Sequence, residues 1–134
     1  MKGVKDLSKL LSSMKPRLIG GRFVFCIIPK GRDSRLKDKA VLVFREKEGT
    51  TLILEKKIAD ENHLAYNEMW AMITLSVHSD LNAVGFLAAI TNKLAVEGIS
   101  VNAVSAYYHD HLFVPYGRAK EAIKLLNEFS TQRF

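Results

Sequence analysis

A short polar segment formed by His78, Ser79, Asp80, Leu81 and Asn82 lies between a predicted strand and a predicted helix. Backbone N–H groups at a helix start, with the helix dipole behind them, form a natural seat for an α-carboxylate. Asp80 could then face the ammonium group of the same ligand. A purely structural role is the alternative, in which Ser79 or Asp80 caps the helix and His78 is a surface residue. The two roles are compatible.

A second cluster of polar and aromatic residues occupies positions 107 to 111, with the sequence YYHDH. If His109 and His111 share one side of a strand, they could join His78 or Asp80 to supply three ligands to Zn²⁺ or another divalent metal. A hairpin turn through this segment would instead send the two rings apart. His111 would then either line a ligand pocket, where its titration would make binding pH-sensitive, or serve the hairpin alone.

Residues that would support catalysis are sparse. The chain has no glycine-rich phosphate loop and no G-x-S-x-G turn, and its single cysteine, Cys26, has no evident histidine partner. Cys26 lies inside the apolar run FVFCII, which predicts a buried thiol. The histidines and aspartates of the two segments above are the one plausible acid–base constellation. We therefore predict a protein that is not an enzyme and needs no cofactor.

Length and composition fit one compact domain or two very small modules. The chain has 134 residues, 48% hydrophobic and 25% charged, with no apolar run long enough to span a membrane and no signal-peptide pattern. We expect a cytoplasmic protein without membrane association. Residues 1–68 hold 15 basic and 9 acidic residues, against five of each in residues 69–134, so the net charge of +6 lies in the first half.

The basic residues are densest from Lys30 to Lys39, where five basic and two acidic residues occur without an aromatic residue. Such a stretch could attract a phosphate backbone, or it could be a solvated loop. Single-strand binding usually interleaves aromatic side chains with the basic ones. Nucleic-acid binding is therefore an alternative that the sequence does not favour.

Hydrophobic periodicity predicts short elements throughout the chain. In the first half we predict a helix over residues 4–14, strands at Phe23–Ile28, Ala40–Phe44 and Thr51–Leu54, a weak helix at Lys57–Leu64 and a linker at Asn62–Asn67. In the second half we predict a strand at Met72–Val77, a helix from Leu81 to Gly98, strands at Ile99–Ser105 and Leu112–Val114, and a helix over Gly117–Phe129.

The order β-α-β-β-α in the second half is that of a ferredoxin-like fold without its fourth strand. Because an unpaired inner edge is a liability, we predict that a strand from the first half, or from a second copy of the chain, completes the sheet. The predicted fold class is α+β, with antiparallel sheets and helices packed on one face. Two incomplete modules also favour a homodimer.

Three motifs stand out in the second half: AVGFLA at Ala83–Ala88, LAVEGISV at Leu94–Val101 and the pair Val104-Ser105. Together they resemble the ACT regulatory domains of aspartate kinases. The whole chain resembles a family of small bacterial proteins built from two ACT-like modules in tandem, through LLSSMKP at Leu10–Pro16, FREKEGTTLILE at Phe44–Glu55 and YYHDHLFVP at Tyr107–Pro115. The resemblance implies an ACT-like module over residues 1–68 and an ACT domain over residues 69–134.

ACT domains bind amino acids or similar metabolites, usually between paired modules, and pass the binding state to an enzyme. The resemblance thus implies a free-standing allosteric regulatory protein that binds a small metabolite, most readily an amino acid, and acts on a partner enzyme. Carried over by position, the family site adds Ala83, Val84, Gly85, Phe86 and Leu87 at the helix start, and Ile99, Ser100, Val101 and Asn102 from a facing module.

This sequence departs from the family at one turn. Many ACT domains have a D-x-P-G-x-L turn, whereas no proline follows Asp80 here and Gly85 comes five residues later. The departure weakens the assignment of Asp80 more than that of the loop. Two other functions stay open: a metal-binding protein or small metal-dependent enzyme using His78, His109 and His111, and a basic nucleic-acid-binding module.

Overall fold

The computed structural model describes residues 3–30, 32 and 35–131. Its α-helices are α1 (Leu7–Ser13), α2 (Lys56–Glu61), α3 (Phe86–Val96) and α4 (Ala119–Asn127). Its strands are β1 (Pro16–Pro29), β2 (Leu42–Arg45), β3 (Gly49–Glu55), β4 (Trp70–Leu75), β5 (Asn102–Ser105) and β6 (Asp110–Pro115), and short 3-10 helices cover Arg35–Lys39, Tyr116–Arg118 and Glu128–Thr131. Within the described ranges, no helix is long and apolar enough to cross a membrane.

Each predicted helix and strand has a counterpart; most boundaries differ by up to three residues, and two differ by five or more. Strand β1 begins at Pro16, seven residues before the predicted start at Phe23, and continues through Gly20 and Gly21. Gly21 has a φ of +107°, a conformation that glycine adopts without steric cost. Helix α3 begins at Phe86 instead of near Leu81, because Gly85 before it is left-handed. Its other end is as predicted, with left-handed Gly98 directly after the C-cap Glu97.

The described residues pack as two compact units, Met1–Gly20 with Ala71–Phe134, and Gly21–Trp70. In the first unit, β4, α3, β5, β6 and α4 form the predicted β-α-β-β-α order, with β6 between β4 and β5. The neighbour on the free side of β4 is β1. Next to this pair, the Ser76 N–H donates to the Lys15 carbonyl at 3.1 Å. The prediction that a strand from the first half completes this sheet is therefore confirmed.

The core of the first unit lies between its sheet and its helices. Alternation in β4 directs Ala71, Ile73 and Leu75 toward the helices, and β6 contributes Leu112 and Val114 in the same way. The buried helical partners are Leu10, Leu11, Met14, Phe86, Ile90, Leu94, Ala119, Ala122, Leu126 and Phe129. Since α1 contributes three of them counting its C-cap Met14, the N-terminal helix is a structural part of this unit.

The second unit is a three-stranded antiparallel sheet in the order β2-β3-β1. One face is covered by a small cluster that includes Val24, Cys26 and Leu52, packed against Leu36, Ile58 and other apolar residues. Cys26 is 3% exposed, and this burial raises the pKa of its thiol. The prediction of a buried core thiol is confirmed.

The basic segment from Lys30 to Lys39 is only partly within the described residues, because Gly31, Asp33 and Ser34 lie outside them. Its described basic side chains are exposed to solvent. The 3-10 helix Arg35–Lys39 contributes one partly buried side chain, Leu36, to the core of the second unit. This arrangement matches the solvated-loop interpretation, and nucleic-acid binding by the segment stays an untested alternative.

Candidate ligand-binding site

The loop between β4 and α3 is held by the N-terminal segment of the chain. Val4 pairs with Ser79 in a short parallel bridge, in which the Val4 N–H donates to the His78 carbonyl at 2.8 Å and the Asp80 N–H donates to the Val4 carbonyl at 3.0 Å. The two backbones meet at Gly3, where a Cβ atom would lie 2.6 Å from the Asp80 nitrogen. Sequence reasoning did not detect this contact, because no periodic pattern marks a two-residue bridge.

The predicted cap of α3 by Ser79 or Asp80 is wrong. The N-cap residue is Gly85, with φ +88° and no side-chain cap. Asp80 instead stabilises a turn five residues earlier: its Oδ1 accepts from the Asn82 N–H at 2.8 Å, and its carbonyl accepts from the Ala83 N–H at 2.9 Å. The left-handed backbone at Gly85 separates this turn from the helix, so neither side chain can reach the first helical turn as a cap.

The start of α3 carries unpaired backbone donors. Its first helical hydrogen bond runs from the Ala89 N–H to the Gly85 carbonyl at 3.0 Å. The N–H groups of Phe86, Leu87 and Ala88 thus have no acceptor inside the helix, and the described part of the chain supplies none from elsewhere. Together with the helix dipole, these donors form a positive helix end.

A small cavity opens at this helix end, within the first unit. Its volume is about 210 Å³, and it lies between the β4–α3 loop, the first turn of α3 and the β5–β6 turn. Its lining residues are Ser79, Asp80, Leu81, Ala83, Gly85, Phe86, Leu87, Ala88, Ser105, Ala106 and Asp110. Sites for drug-sized ligands usually exceed about 300 Å³, so this cavity suits a smaller molecule.

Asp110 forms the wall of this cavity on the β5–β6 side. It is the first residue of β6, and the alternation that buries Leu112 and Val114 points it toward the same face. The residue is only 6% exposed, and its Oδ1 accepts a hydrogen bond from Ser105 Oγ at 2.7 Å. The sequence predicts a hairpin turn that includes Asp110. In the structure the turn ends at His109, whose carbonyl accepts a hydrogen bond from the Ala106 N–H. The pattern D-x-L-x-V in β6 was the signal that could have found it.

A second, more open depression lies on the other side of the β4–α3 loop. Its volume is about 330 Å³, and its lining residues are Gly3, Lys5, His78, Asp80, Leu81, Asn82 and Tyr107. The His78 ring lies 5.2 Å from the Tyr108 ring and 6.3 Å from the Tyr107 ring, centre to centre. His78 is therefore part of an aromatic cluster on the protein surface.

The histidines do not assemble a metal centre in the described part of the chain, where no three residues of the types His, Cys, Asp and Glu are grouped to hold an ion. The rings of His109 and His111 are 6.4 Å apart, and His111 Nδ1 is 2.9 Å from Thr74 Oγ1. Burial lowers the pKa of His111, the charge of nearby His109 lowers it further, and Asp110 opposes both effects. By strand alternation, His111 faces away from the cavity that Asp110 lines.

The structure brings together part of the predicted site. Ser79, Asp80, Leu81, Ala83, Gly85, Phe86 and Leu87 line the cavity at α3, while His78 and Asn82 line the second depression. Val84 is 84% exposed and belongs to neither lining. Ile99 is buried in the core, and Ser100, Val101, Asn102 and His111 lie outside both linings. Sequence reasoning missed Ser105, Ala106 and Asp110 as cavity residues.

Comparison with solved structures finds relatives that span nearly the whole chain. A Vibrio cholerae protein of unknown function, described as a possible transport protein, is 43% identical, with a TM-score of 0.83 over 94% of this chain and 97% of its own. An Agrobacterium tumefaciens protein is 15% identical, with a TM-score of 0.73 over 87% of this chain and 89% of its own. No protein among those with curated descriptions matches.

The fold also matches a regulatory protein. The ligand-free regulatory subunit of aspartate kinase from Thermus thermophilus is 10% identical, with a TM-score of 0.63 over 88% of this chain and 97% of its own. This similarity confirms the predicted α+β, ferredoxin-like fold with tandem modules. The predicted module boundary after residue 68 stays a prediction. Two family matches, over residues 2–71 and 66–128, overlap at this position, and the two compact units divide the chain at other residues.

Two family models, both of the ACT domain, match consecutive parts of the chain. The first covers residues 2–71 and the second covers residues 66–128. The motifs AVGFLA and LAVEGISV, which carry the resemblance in the sequence, both lie within the second match. With more than half of its length matched by the first model alone, the chain belongs to the ACT domain family.

Proposed function

We propose that this chain is a free-standing ACT regulatory protein that binds a small carboxylate metabolite, an amino acid, in the cavity at the start of α3. The observation that carries the proposal is the uncapped helix start: Phe86, Leu87 and Ala88, whose N–H groups have no acceptor in the described part of the chain, line a cavity of about 210 Å³. Free backbone N–H donors at a positive helix end bind a carboxylate well. The lining includes no Lys, Arg or His side chain, so these donors are the natural carboxylate partner.

Binding at this place can be transmitted because the cavity is built from separate chain segments. Asp80 and Leu81 belong to a loop held by Val4, whereas Ser105 and Asp110 belong to the β5–β6 hairpin. A ligand that contacts the loop, the helix start and the hairpin favours the arrangement in which they lie close together. We propose that a partner enzyme reads this arrangement, and that the chain itself is not an enzyme. Its cytoplasmic location stays a prediction.

We also propose that the protein is a homodimer, with a second copy covering the outer strand of the second unit. Strand β2 ends the sheet order, so one side of its backbone has no neighbouring strand in the described part of the chain. Apolar side chains project from both faces of this edge: Val43 is 39% exposed and Phe44 is 62% exposed. A two-fold axis at β2 would pair the free edges and cover these side chains.

The ligand proposal is tested by thermal unfolding of the full chain with each of the twenty L-amino acids, with and without a chelator. A ligand at 100 times its Kd stabilises by about 2.7 kcal/mol, a shift of several degrees for a domain of this size. We expect a shift with one amino acid or a chemically related group of them, independent of the chelator. A shift that the chelator abolishes would instead indicate a metal-dependent site, and the absence of a shift with any of the twenty amino acids would refute the proposal.

A charge change at the helix start provides a matched variant. Ala88→Glu places a carboxylate on the first turn of α3, which favours the helix but competes with the carboxylate of the ligand. We expect unchanged or higher stability without ligand and a loss of the ligand-induced shift. The control, Asn92→Glu, adds the same charge to an exposed position of the same helix, outside the cavity lining, and should retain the shift. An unchanged shift in Ala88→Glu would move the ligand away from α3.

A further inference from the structure

We infer that the carboxylate of Asp110 binds the ammonium group of the ligand and makes the cavity select α-amino acids over acids that lack the amine. The inference rests on the proposed function, because it concerns the same cavity. It replaces Asp80, the residue that the sequence suggested for this role. It also gives a function to the charge of Asp110, which the β5–β6 hairpin itself does not need.

The first observation concerns the hydrogen bonds of Asp110. The residue is more than nine-tenths buried, and Ser105 Oγ donates to its Oδ1 at 2.7 Å. Its Oδ2 has no hydrogen bond in the part of the chain that the structure describes. In that part of the chain, every fully enclosed side-chain oxygen has a hydrogen-bond partner. Because Oδ2 has none, it is not fully enclosed, and the surface that Asp110 lines is that of the cavity. A buried carboxylate with one donor carries a desolvation cost that a cation would relieve.

The second observation concerns the distribution of charge around the cavity. The positive start of α3 forms one wall and the Asp110 carboxylate forms the wall on the hairpin side. A ligand with adjacent carboxylate and ammonium groups meets both walls with opposite charge. A 2-hydroxy or 2-oxo acid satisfies the helix start but leaves the Asp110 carboxylate without a cation.

Asp80 is the weaker candidate for this contact. Its Oδ1 is already used by the Asn82 N–H, and the residue lies on a loop that also borders the open depression. Solvent there screens its charge. Asp110 is only 6% exposed, and its strand backbone is fixed by pairing with Ser105. The more buried and better fixed carboxylate therefore makes the stronger ammonium partner.

The experiment compares Asp110→Asn with Ser105→Ala in the full chain. Asparagine retains an oxygen that accepts from Ser105 and removes the charge, whereas Ser105→Ala removes the donor and retains the charge. The probes are the twenty L-amino acids and, for each that binds the wild type, the 2-hydroxy and 2-oxo acids with the same side chain. Calorimetric titration gives the Kd for each pair, and thermal unfolding without ligand reports the fold.

For the wild type we expect the amino acid to bind about tenfold or more tightly than its 2-hydroxy analogue. Asp110→Asn should lose about tenfold or more in amino-acid affinity and most of this discrimination. Its Tm in the absence of ligand should be no lower than that of the wild type. Ser105→Ala should preserve the discrimination. A residue that only closes the hairpin would give the opposite pattern, with stability loss in Ser105→Ala and full discrimination in Asp110→Asn.

The outcomes separate the two proposals. If the wild type binds an amino acid and Asp110→Asn binds it equally well, the role of Asp110 is refuted while the proposed function stands. If the wild type binds the 2-hydroxy acid as tightly as the amino acid, the inference is refuted and the site is one for carboxylates in general. If no compound binds the wild type, both proposals are refuted.

Discussion

Gly3 and Asp80 approach each other so closely that the first has no room for a side chain. A Cβ atom on Gly3 would lie 2.6 Å from the Asp80 nitrogen and 2.7 Å from the His78 carbonyl oxygen. Both neighbours are backbone atoms, which cannot rotate out of the way. Two hydrogen bonds between Val4 and the loop follow directly from this approach. The N-terminal segment and the loop that borders both cavities therefore form one structural element.

We predict that Gly3→Ala separates the N-terminal segment from this loop. Crowding of this kind costs about 1 to 3 kcal/mol where the backbone cannot adjust, and here the chain can relieve it by breaking the bridge. Hydrogen exchange at the Val4 and Asp80 amides should accelerate about tenfold or more, and any ligand-induced thermal shift should shrink. Exchange measured by NMR or mass spectrometry checks the first effect, and the thermal panel checks the second.

Gly20→Ala is the matched control for this change, because a Cβ atom at Gly20 would meet nothing within 4 Å. Its exchange rates at the loop should equal those of the wild type. Equal exchange in Gly3→Ala and Gly20→Ala would contradict the tight approach of the two backbones.

The candidate site was predictable from the sequence where a local signal exists. The polar loop follows from the change of hydrophobic period after β4. Seven residues of the predicted site line the cavity, namely Ser79, Asp80, Leu81, Ala83, Gly85, Phe86 and Leu87. Asp110 and the bridge from Val4 depend on chain segments far apart in sequence. Asp110 enters the site because β6 lies beside β4 in the sheet order, and no local pattern contains that pairing.

The fold was predictable for a similar reason. Alternating residues in β4 and β6 and the stripe Phe86, Ile90 and Leu94 in α3 bury apolar side chains, so periodicity located these elements. Strand β1 was found only from Phe23 onward, since two glycines at positions 20 and 21 interrupt the apolar pattern. The start of α3 was misplaced because Leu81 and Val84 have helical spacing, but both side chains are exposed and the left-handed Gly85 prevents an earlier start.

We predict that Gly85→Ala destabilises the protein by about 1 kcal/mol. The substitution has space, since the nearest atom to a Cβ is Leu7 Cδ2 at 3.6 Å, so the cost comes from the φ of +88°. Gly117→Ala, at a position with open space and no positive φ, is the control and should be neutral or slightly stabilising. Urea unfolding monitored by circular dichroism gives both free energies of unfolding. Equal values would mean that Gly85 is not held in this conformation.

We predict that Phe44→Lys converts a dimer into a monomer. A lysine on β2 places a charge where the proposed partner would cover an apolar side chain. Light scattering after size-exclusion chromatography should give about twice the 15.1 kDa chain mass for the wild type and a mass near 15.1 kDa for the variant. Val96→Lys, a similar change at an exposed position of α3 in the first unit, should stay dimeric. A monomeric wild type at micromolar concentration would refute the dimer, and a dimeric Phe44→Lys would place the interface elsewhere.

His111 provides a prediction about pH. Burial and the nearby charge of His109 lower its pKa in the folded protein, so on acidification the unfolded chain takes up a proton at this position first. The stability that His111 contributes is present above about pH 6.5, the ordinary pKa of histidine, and is lost as the pH falls toward the lowered folded-state pKa. Asparagine can retain the hydrogen bond to Thr74 Oγ1 but does not titrate. We therefore expect the Tm of the wild type to fall more between pH 7.5 and pH 5 than that of His111→Asn. Parallel Tm curves for the two proteins would show that His111 titrates alike in the folded and unfolded chains.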